Sequence, residues 1–381
     1  MDPIRDPPVL VDDLIPIILE SDDHWWPRDF QRLALISPAW LTPVRKRLYA
    51  TPSLRSFRAC KLFARTLTEN PTLLPYLRGL ELRPIADGRR ALGEVEMRSL
   101  RYILGLNGLQ SITLGGDLAI SAERFLHFMV NTRTVTTLHI DGYIAPDDRA
   151  SSAVHRLPSL EWDDVIAFRF PYLRTLTLSN LALTIYPPAS ERPGTLTHLT
   201  LNNVDIVDGF LSDLCQGAWE TLRVLKVVGT STVDMDDHIL SMLEFCHNLQ
   251  ELHYAAVDKS IHPSIFDSEE TPTSPNLQAL HVSGFDVNPQ TLQAIAQAFP
   301  NLVDFAVLGR IIRIPPDDWK LFVQSAKLPY LRRLVTPAGT NVPPFTFWSV
   351  DQLASLQEAC RSRGIELACG ASMGHFLVQS C

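Results

Sequence analysis

The chain has 381 residues, 46% of them hydrophobic and 20% charged, with a net charge of −8. That balance describes a chain able to pack an interior, and its acidic sign argues against nucleic acid as the main partner. The first elements in chain order are three short helices. Leu10, Val11, Leu14, Ile15, Ile18 and Leu19 have helical spacing, with Pro16 expected to kink or shorten the first helix. Asp29 is placed to cap a second helix carrying Phe30, Leu33, Ala34 and Ile36, which Pro38 stops. A third segment runs through Trp40, Val44, Leu48 and Tyr49. Three such helices make too small a core to be secure alone, so their remaining apolar surface calls for a neighbour or a partner.

These helices carry an ordered set of motifs. Pro7-Pro8-Val9-Leu10-Val11-Asp12-Asp13-Leu14-Ile15 is similar to the PPELxxEI opening of an F-box. Asp29-Phe30-Gln31-Arg32-Leu33-Ala34-Leu35-Ile36-Ser37-Pro38-Ala39-Trp40 is similar to its DLxxLxLVSxxW stretch, and Pro43 to Tyr49 to its closing segment. Residues 1–52 therefore resemble an F-box module of the fungal type that precedes leucine-rich repeats. The resemblance implies docking on a Skp-type adaptor and, through it, on a cullin–RING ubiquitin ligase. It carries adaptor contact to Pro8, Leu10, Val11, Leu14, Leu33, Leu35, Ile36 and Trp40. Val9 departs from the usual acidic residue, and Trp25 and Trp26 lengthen the first connection.

From Leu77 onward a spacing of i, i+3, i+5 recurs, clearest at Leu173-Leu176-Leu178, Leu196-Leu199-Leu201 and Leu222-Leu225-Val227. The last pair alternates as a short strand does, and the first leucine packs the turn that enters it. Successive first positions lie 32, 26, 38, 23, 26, 27, 28, 25 and 29 residues apart. Those intervals centre on the leucine-rich repeat, which residues 53–381 resemble. Each unit then reads as strand, turn and helix, giving an α/β horseshoe with parallel strands on its concave face and helices on its convex face. The family's usual polar ladder position, three residues after the last strand leucine, holds Leu181, Val204 and Thr230 instead. The interval of 38 contains an insertion with a helix expected around 162–168. Residues 258–276 read as a polar, proline-rich mobile loop, and the stretch near Ile365 as a terminal strand.

In such strands the residues at i+2, i+4 and i+6 face away from the helices. The i+4 column contains Glu81, Thr113, His139, Thr177, Thr200, Lys226, His253, His281, Ala306 and Val335. Neighbouring strands stand about 4.8 Å apart, which sets His253 beside His281 and Lys226 next to them. His139, Thr177, Thr200, Lys226, His253 and His281 are thus the candidate substrate-binding row, a polar to weakly basic stripe suited to an acidic or phosphorylated segment. Two adjacent imidazoles predict pH-sensitive binding near their ordinary pKa of about 6.5.

Two histidines without a third ligand make a weak metal site, and no metal or cofactor is expected. No Walker loop, GxGxxG after a strand or HExxH occurs, and no catalytic role is assigned. Six cysteines without CxxC spacing suit a reducing compartment. No apolar run approaches the ~20 residues needed to span a bilayer. The sequence therefore predicts a cytoplasmic or nuclear protein that captures a protein substrate for a ubiquitin ligase. The alternative is a non-catalytic repeat scaffold that holds partners without ubiquitination.

Overall fold

The computed structural model describes residues 14–20, 25, 27–85, 92–143, 157–189, 194–229, 233–256, 264–267, 272–308, 314–337 and 348–369. Among them the chain is α/β, with thirteen strands in a parallel sheet. It divides into two compact units, Met1–Leu138 and His139–Cys381.

The first unit opens with α1 (Ile15–Glu20), α2 (Pro27–Leu33) and α3 (Pro38–Ala50). Pro16 falls in the first turn of α1, where no intrahelical N–H is required, so it starts that helix and does not kink it. Asp29 lies inside the first turn of α2, not at its cap, where its charge complements the helix dipole. Pro38 opens α3 but does not stop α2, which already ends at Leu33, ahead of a turn at 34–36. Ile15, Leu19, Phe30 and Val44 close a small core, with Trp25, Leu33, Ala34, Ala39, Trp40 and Leu48 packed half-buried against it.

β1 (Ser53–Leu54), α4 (Phe57–Glu69), β2 (Gly79–Leu82), α5 (Glu94–Leu104), β3 (Ser111–Gly115) and α6 (Ala122–Leu126) follow. Phe57, Cys60, Phe63, Ala64 and Leu67 form the buried stripe of α4, whose first turn is capped by the Ser56 hydroxyl accepting from the Ala59 N–H. The expected boundary after residue 52 lies within this unit, where Tyr49 of α3 stacks on Phe63 of α4 at 6.3 Å. Glu81 pairs with Ser53 on one side and Thr113 on the other. The unit boundary falls inside β4 (Thr137–Asp141).

The second unit continues with β5 (Ser159–Trp162), α7 (Asp164–Ala167), β6 (Thr175–Ile185), β7 (His198–Asp208), α8 (Leu211–Leu214), β8 (Val224–Gly229), α9 (Val233–Phe245) and β9 (Glu251–Ala256). It ends with β10 (Ala279–Ser283), α10 (Pro289–Ala298), β11 (Asp304–Leu308), α11 (Pro316–Gln324), β12 (Arg333–Thr336), α12 (Val350–Ser362) and β13 (Glu366–Cys369). The insertion thus holds a strand as well as a helix. β5 pairs Ser159 to Trp162 against Ala182 to Ile185, the far half of the long strand β6. Residues Ile265–Asp267, inside the expected loop, form a short 3-10 helix that buries Phe266 against Phe299.

The middle positions of the repeat stand in one row: Leu176, Leu199, Leu225, Leu252, Leu280, Phe305 and Leu334 are neighbours in register and completely buried. Burying each contributes roughly 1.5–3 kcal/mol, and packing alone explains their identity. From Leu196 to Leu302 the carbonyl one residue after the first leucine accepts two N–H groups from the next unit. Arg223 serves Gln250 and Glu251, Gln250 serves Gln278 and Ala279, and Gln278 serves Val303 and Asp304, all at 2.7–3.0 Å. Register is therefore fixed at the strand entry, before any side chain in the strand contributes.

The polar ladder sits one residue before the first leucine. Thr195 and Thr221 hydroxyls donate to the carbonyls of Leu173 and Leu196 at 2.9 Å. The amides of Asn248, Asn276 and Asn301 donate to Glu220, His247 and Pro275 at 2.8–3.1 Å. A second device lies seven residues after the first leucine, where Gly or Asn recurs at 142, 180, 203 and 284. Asn180, Asn203 and Gly284 have φ of 55°, 52° and 82°, the left-handed region that Gly and Asn enter most readily. Asn203 donates to Asn180, and Asn180 to Asp141, at 3.0 and 2.9 Å. The residues that follow these asparagines, Leu181 and Val204, are buried apolar side chains and add no bond to the ladder.

Candidate functional site

The sheet face opposite the helices of the second unit carries the candidate row. Thr177, Thr200, Lys226, His253 and His281 are consecutive register partners, and all are half-buried. Beyond His281 the row turns apolar: Ala306 and Val335 are buried and packed with Leu308 and Ala368. His139 lies on β4 with its Nε2 3.5 Å from the Ser179 hydroxyl, so it stands apart from the other two imidazoles. The rings of His253 and His281 meet edge to face, with centroids 4.1 Å apart.

The neighbouring column at i+2 supplies charges that a reading of i+4 alone missed. Glu251 and Lys226 pair at 3.2 Å, and the same carboxylate oxygen stands against His253 Nε2 at 2.5 Å. Asp304 takes His281 Nε2 on one oxygen and Arg333 on the other, each at 3.3 Å. Both imidazole Nε2 atoms are buried and face their carboxylates off the hydrogen-bond line. The result is one chain of contacts, Lys226–Glu251–His253–His281–Asp304–Arg333. With both imidazoles neutral, its two cations and two carboxylates cancel. The row is not a standing basic stripe; only proton uptake by the histidines would make it one.

Environment tunes these groups in one direction. His253 beside Glu251 and cationic Lys226 hold the Glu251 carboxyl down at about 2 against the burial that opposes them. Burial also pulls the Asp304 pKa upward, but His281 and Arg333 outweigh it and leave the carboxyl below its ordinary range. Burial lowers the His253 pKa, with its neighbour His281 adding to the effect and Glu251 opposing it. In each case the unfolded chain binds protons more readily, so stability falls with pH. The histidine contribution is present above about 6.5 and is lost as pH falls through the folded value. The Glu251 contribution is present above its ordinary 4.5 and is lost toward about 2. Urea midpoints at pH 7, 5 and 3 should therefore decline in that order. Glu251→Gln should lower the pH 7 midpoint while flattening the decline; a variant with the wild-type pH profile would remove the row from this account.

A second candidate surface belongs to the N-terminal helices. Leu33 and Trp40 pack on the module's own core, half-buried. Leu14, Leu35 and Ile36 point outward, with Leu35 87% and Ile36 63% exposed, and Ile17 of α1 is exposed as well. Pro8, Leu10 and Val11 lie outside the described residues. The turn at 34–36 explains the outward residues: α2 ends at Leu33, so Ile36 leaves the helical face on which the sequence placed it.

No family model matches the chain, and no curated protein matches it either. Among the described residues, no group of three or more His, Cys, Asp or Glu side chains could hold a metal ion. No described helix is long and apolar enough to cross a membrane. Cys215 and Cys246 are completely buried, and burial pushes both thiols up, Cys246 to about 12, so neither forms a thiolate at neutral pH.

Proposed function

We propose that this protein is the substrate-recognition subunit of a Skp–cullin–F-box type ubiquitin ligase, with an F-box-like module at 1–52 and a leucine-rich-repeat solenoid at 53–381. The observation that carries the proposal is the set of four large apolar side chains left exposed outside the helical core: Leu14, Ile17, Leu35 and Ile36. Water tolerates single exposed leucines, but several on one small helical unit suit a protein partner. The adaptor docks there, and the repeat units hold a protein cargo close to the ubiquitin-charged enzyme. Catalysis is positional: the effective concentration of a cargo lysine rises while the partner enzymes perform the chemistry.

Cargo capture is assigned to the row of Lys226, His253 and His281, with Thr177 and Thr200 at its neutral end. Affinity purification of the full chain should recover a Skp-type adaptor and a cullin together with cargo. His253→Ala combined with His281→Ala should reduce cargo recovery severalfold while adaptor recovery holds. Equal cargo recovery from the double variant would exclude the row as the capture surface. A non-catalytic scaffold is the second reading, favoured by the packing of Leu33 and Trp40 on their own core. Under that reading the wild-type chain recovers partners but no adaptor.

A further inference from the structure

We infer that the outward side of α4, together with the basic stretch of α3, is a docking surface for a membrane rich in anionic phospholipids. The net charge of −8 conceals a local reversal: residues 30–68 contain eight Lys or Arg and no Asp or Glu. They gather on α3, as Arg45, Lys46 and Arg47, and on α4, as Arg58, Lys61 and Arg65. All eight are exposed. Of them Arg65 alone has an ion pair among the described residues, with Glu69 at 2.7 Å. On α4, Arg58, Lys61, Leu62 and Arg65 stand at i, i+3, i+4 and i+7, on the side away from the buried stripe of Phe57, Cys60, Phe63, Ala64 and Leu67. Tyr49 of α3 stacks on Phe63 of α4, so the two basic stretches belong to adjoining helices.

Cations crowded in this way repel one another, whereas a surface that serves only solubility mixes its signs. Other helices of the chain do mix them. Glu94 pairs with Arg98 on α5 at 2.8 Å, and Glu358 with Arg361 on α12 at 2.9 Å. The one-signed face of α4 therefore calls for an anionic partner. Its remaining residues select which. Leu62 is 50% exposed among the cations. The Thr66 and Thr68 hydroxyls donate to the Leu62 and Ala64 carbonyls at 2.9 Å, so neither proton is left to read a base edge. Phe30, Phe57 and Phe63 are buried and Trp40 and Tyr49 half-buried, so no ring of α2 to α4 stands out for bases to stack on. A bilayer surface offers anionic headgroups to the cations and, just beneath them, an apolar boundary to Leu62. An acidic polypeptide offers the charge without that apolar layer.

The test is flotation of the full chain with vesicles of phosphatidylcholine alone and of phosphatidylcholine carrying about 30% phosphatidylserine, at low and at physiological salt. The wild-type chain should float with the anionic vesicles only, and less of it as salt rises. Arg58→Gln, Lys61→Gln and Arg65→Gln combined should weaken binding roughly 100-fold, about fivefold for each cation removed. Leu62→Gln should weaken it severalfold through the apolar contact. Arg58→Lys with Arg65→Lys, which keeps the charge, should bind as the wild type does. Every substituted side chain is exposed, so thermal midpoints should hold and a lost signal reports binding. No flotation by the wild-type chain overturns the proposal, as does equal flotation with neutral vesicles or binding that survives the triple variant. Tighter retention by a duplex DNA fragment or by polyglutamate than by the anionic vesicles also overturns it, and assigns the surface to nucleic acid or to an acidic protein. None of these residues is assigned to adaptor or cargo, so the outcome is independent of both.

Discussion

Replacing Gly284 with alanine is expected to cost the second unit about 2–5 kcal/mol, combining left-handed backbone strain with overpacking. Gly284 ends β10 at a φ of 82°, and an added Cβ would sit closer to the Ala256 carbonyl oxygen than real Cβ atoms come. The carbonyl cannot move away cheaply, because β9 is held in register by β8 on one side and β10 on the other. Gly364 provides the comparison. It has a φ of 68° but nothing within 4 Å of a would-be Cβ. Gly364→Ala should therefore lose only the conformational part, about 1–2 kcal/mol. Urea unfolding of both variants separates the two contributions. Equal losses would mean that close stacking of successive turns adds nothing.

The second large effect concerns partner binding. Leu35→Asp together with Ile36→Asp should weaken adaptor capture by at least about 100-fold, since each buried apolar side chain is worth roughly 1.5–3 kcal/mol and a carboxylate in its place must be desolvated. Both side chains are mostly exposed in the free chain, so the thermal midpoint should stay within a degree or two of wild type. That separation makes the result readable: lost capture at unchanged stability identifies the surface. Undiminished capture by a folded double variant would exclude Leu35 and Ile36 from the docking surface and favour the scaffold reading.

The parallel repeat was legible because its buried rows obey one spacing. Leu252 and Leu280 are three residues after their first leucines and become direct neighbours, which also puts His253 beside His281 as expected. The site's electrostatics were harder to read, since Glu251, Asp304 and Arg333 belong to the adjacent outward column, and charge cancels only when both columns are considered together. The Thr and Asn ladder lies at the repeat entry, one residue before the first leucine, and not after the strand, where the leucine-rich-repeat pattern puts it. The Gly and Asn turn column leaves no mark in a hydrophobic spacing, because neither residue type registers there. β5 escaped for another reason: Ser159-Leu160-Glu161-Trp162 is too short to announce a strand and is made one by its pairing with the far half of β6. At the N-terminus, three helices were readable from apolar spacing, whereas which face each side chain took depended on where α2 stopped.

The one-to-one pairing of β8 through β13 implies that this part of the chain can be edited in whole-strand lengths. Excising Leu249 through Asn276 would join Asn248 to Leu277, leaving an asparagine ahead of a leucine as before. Leu225 would then face Leu280, two partners of the same kind as those they replace. Lys226, however, would abut His281 with Glu251 gone, so a shortened molecule would keep its architecture and surrender its charge compensation. Length and recognition are thus separable properties of this sequence, the first written in apolar spacing and the second in the order of the units.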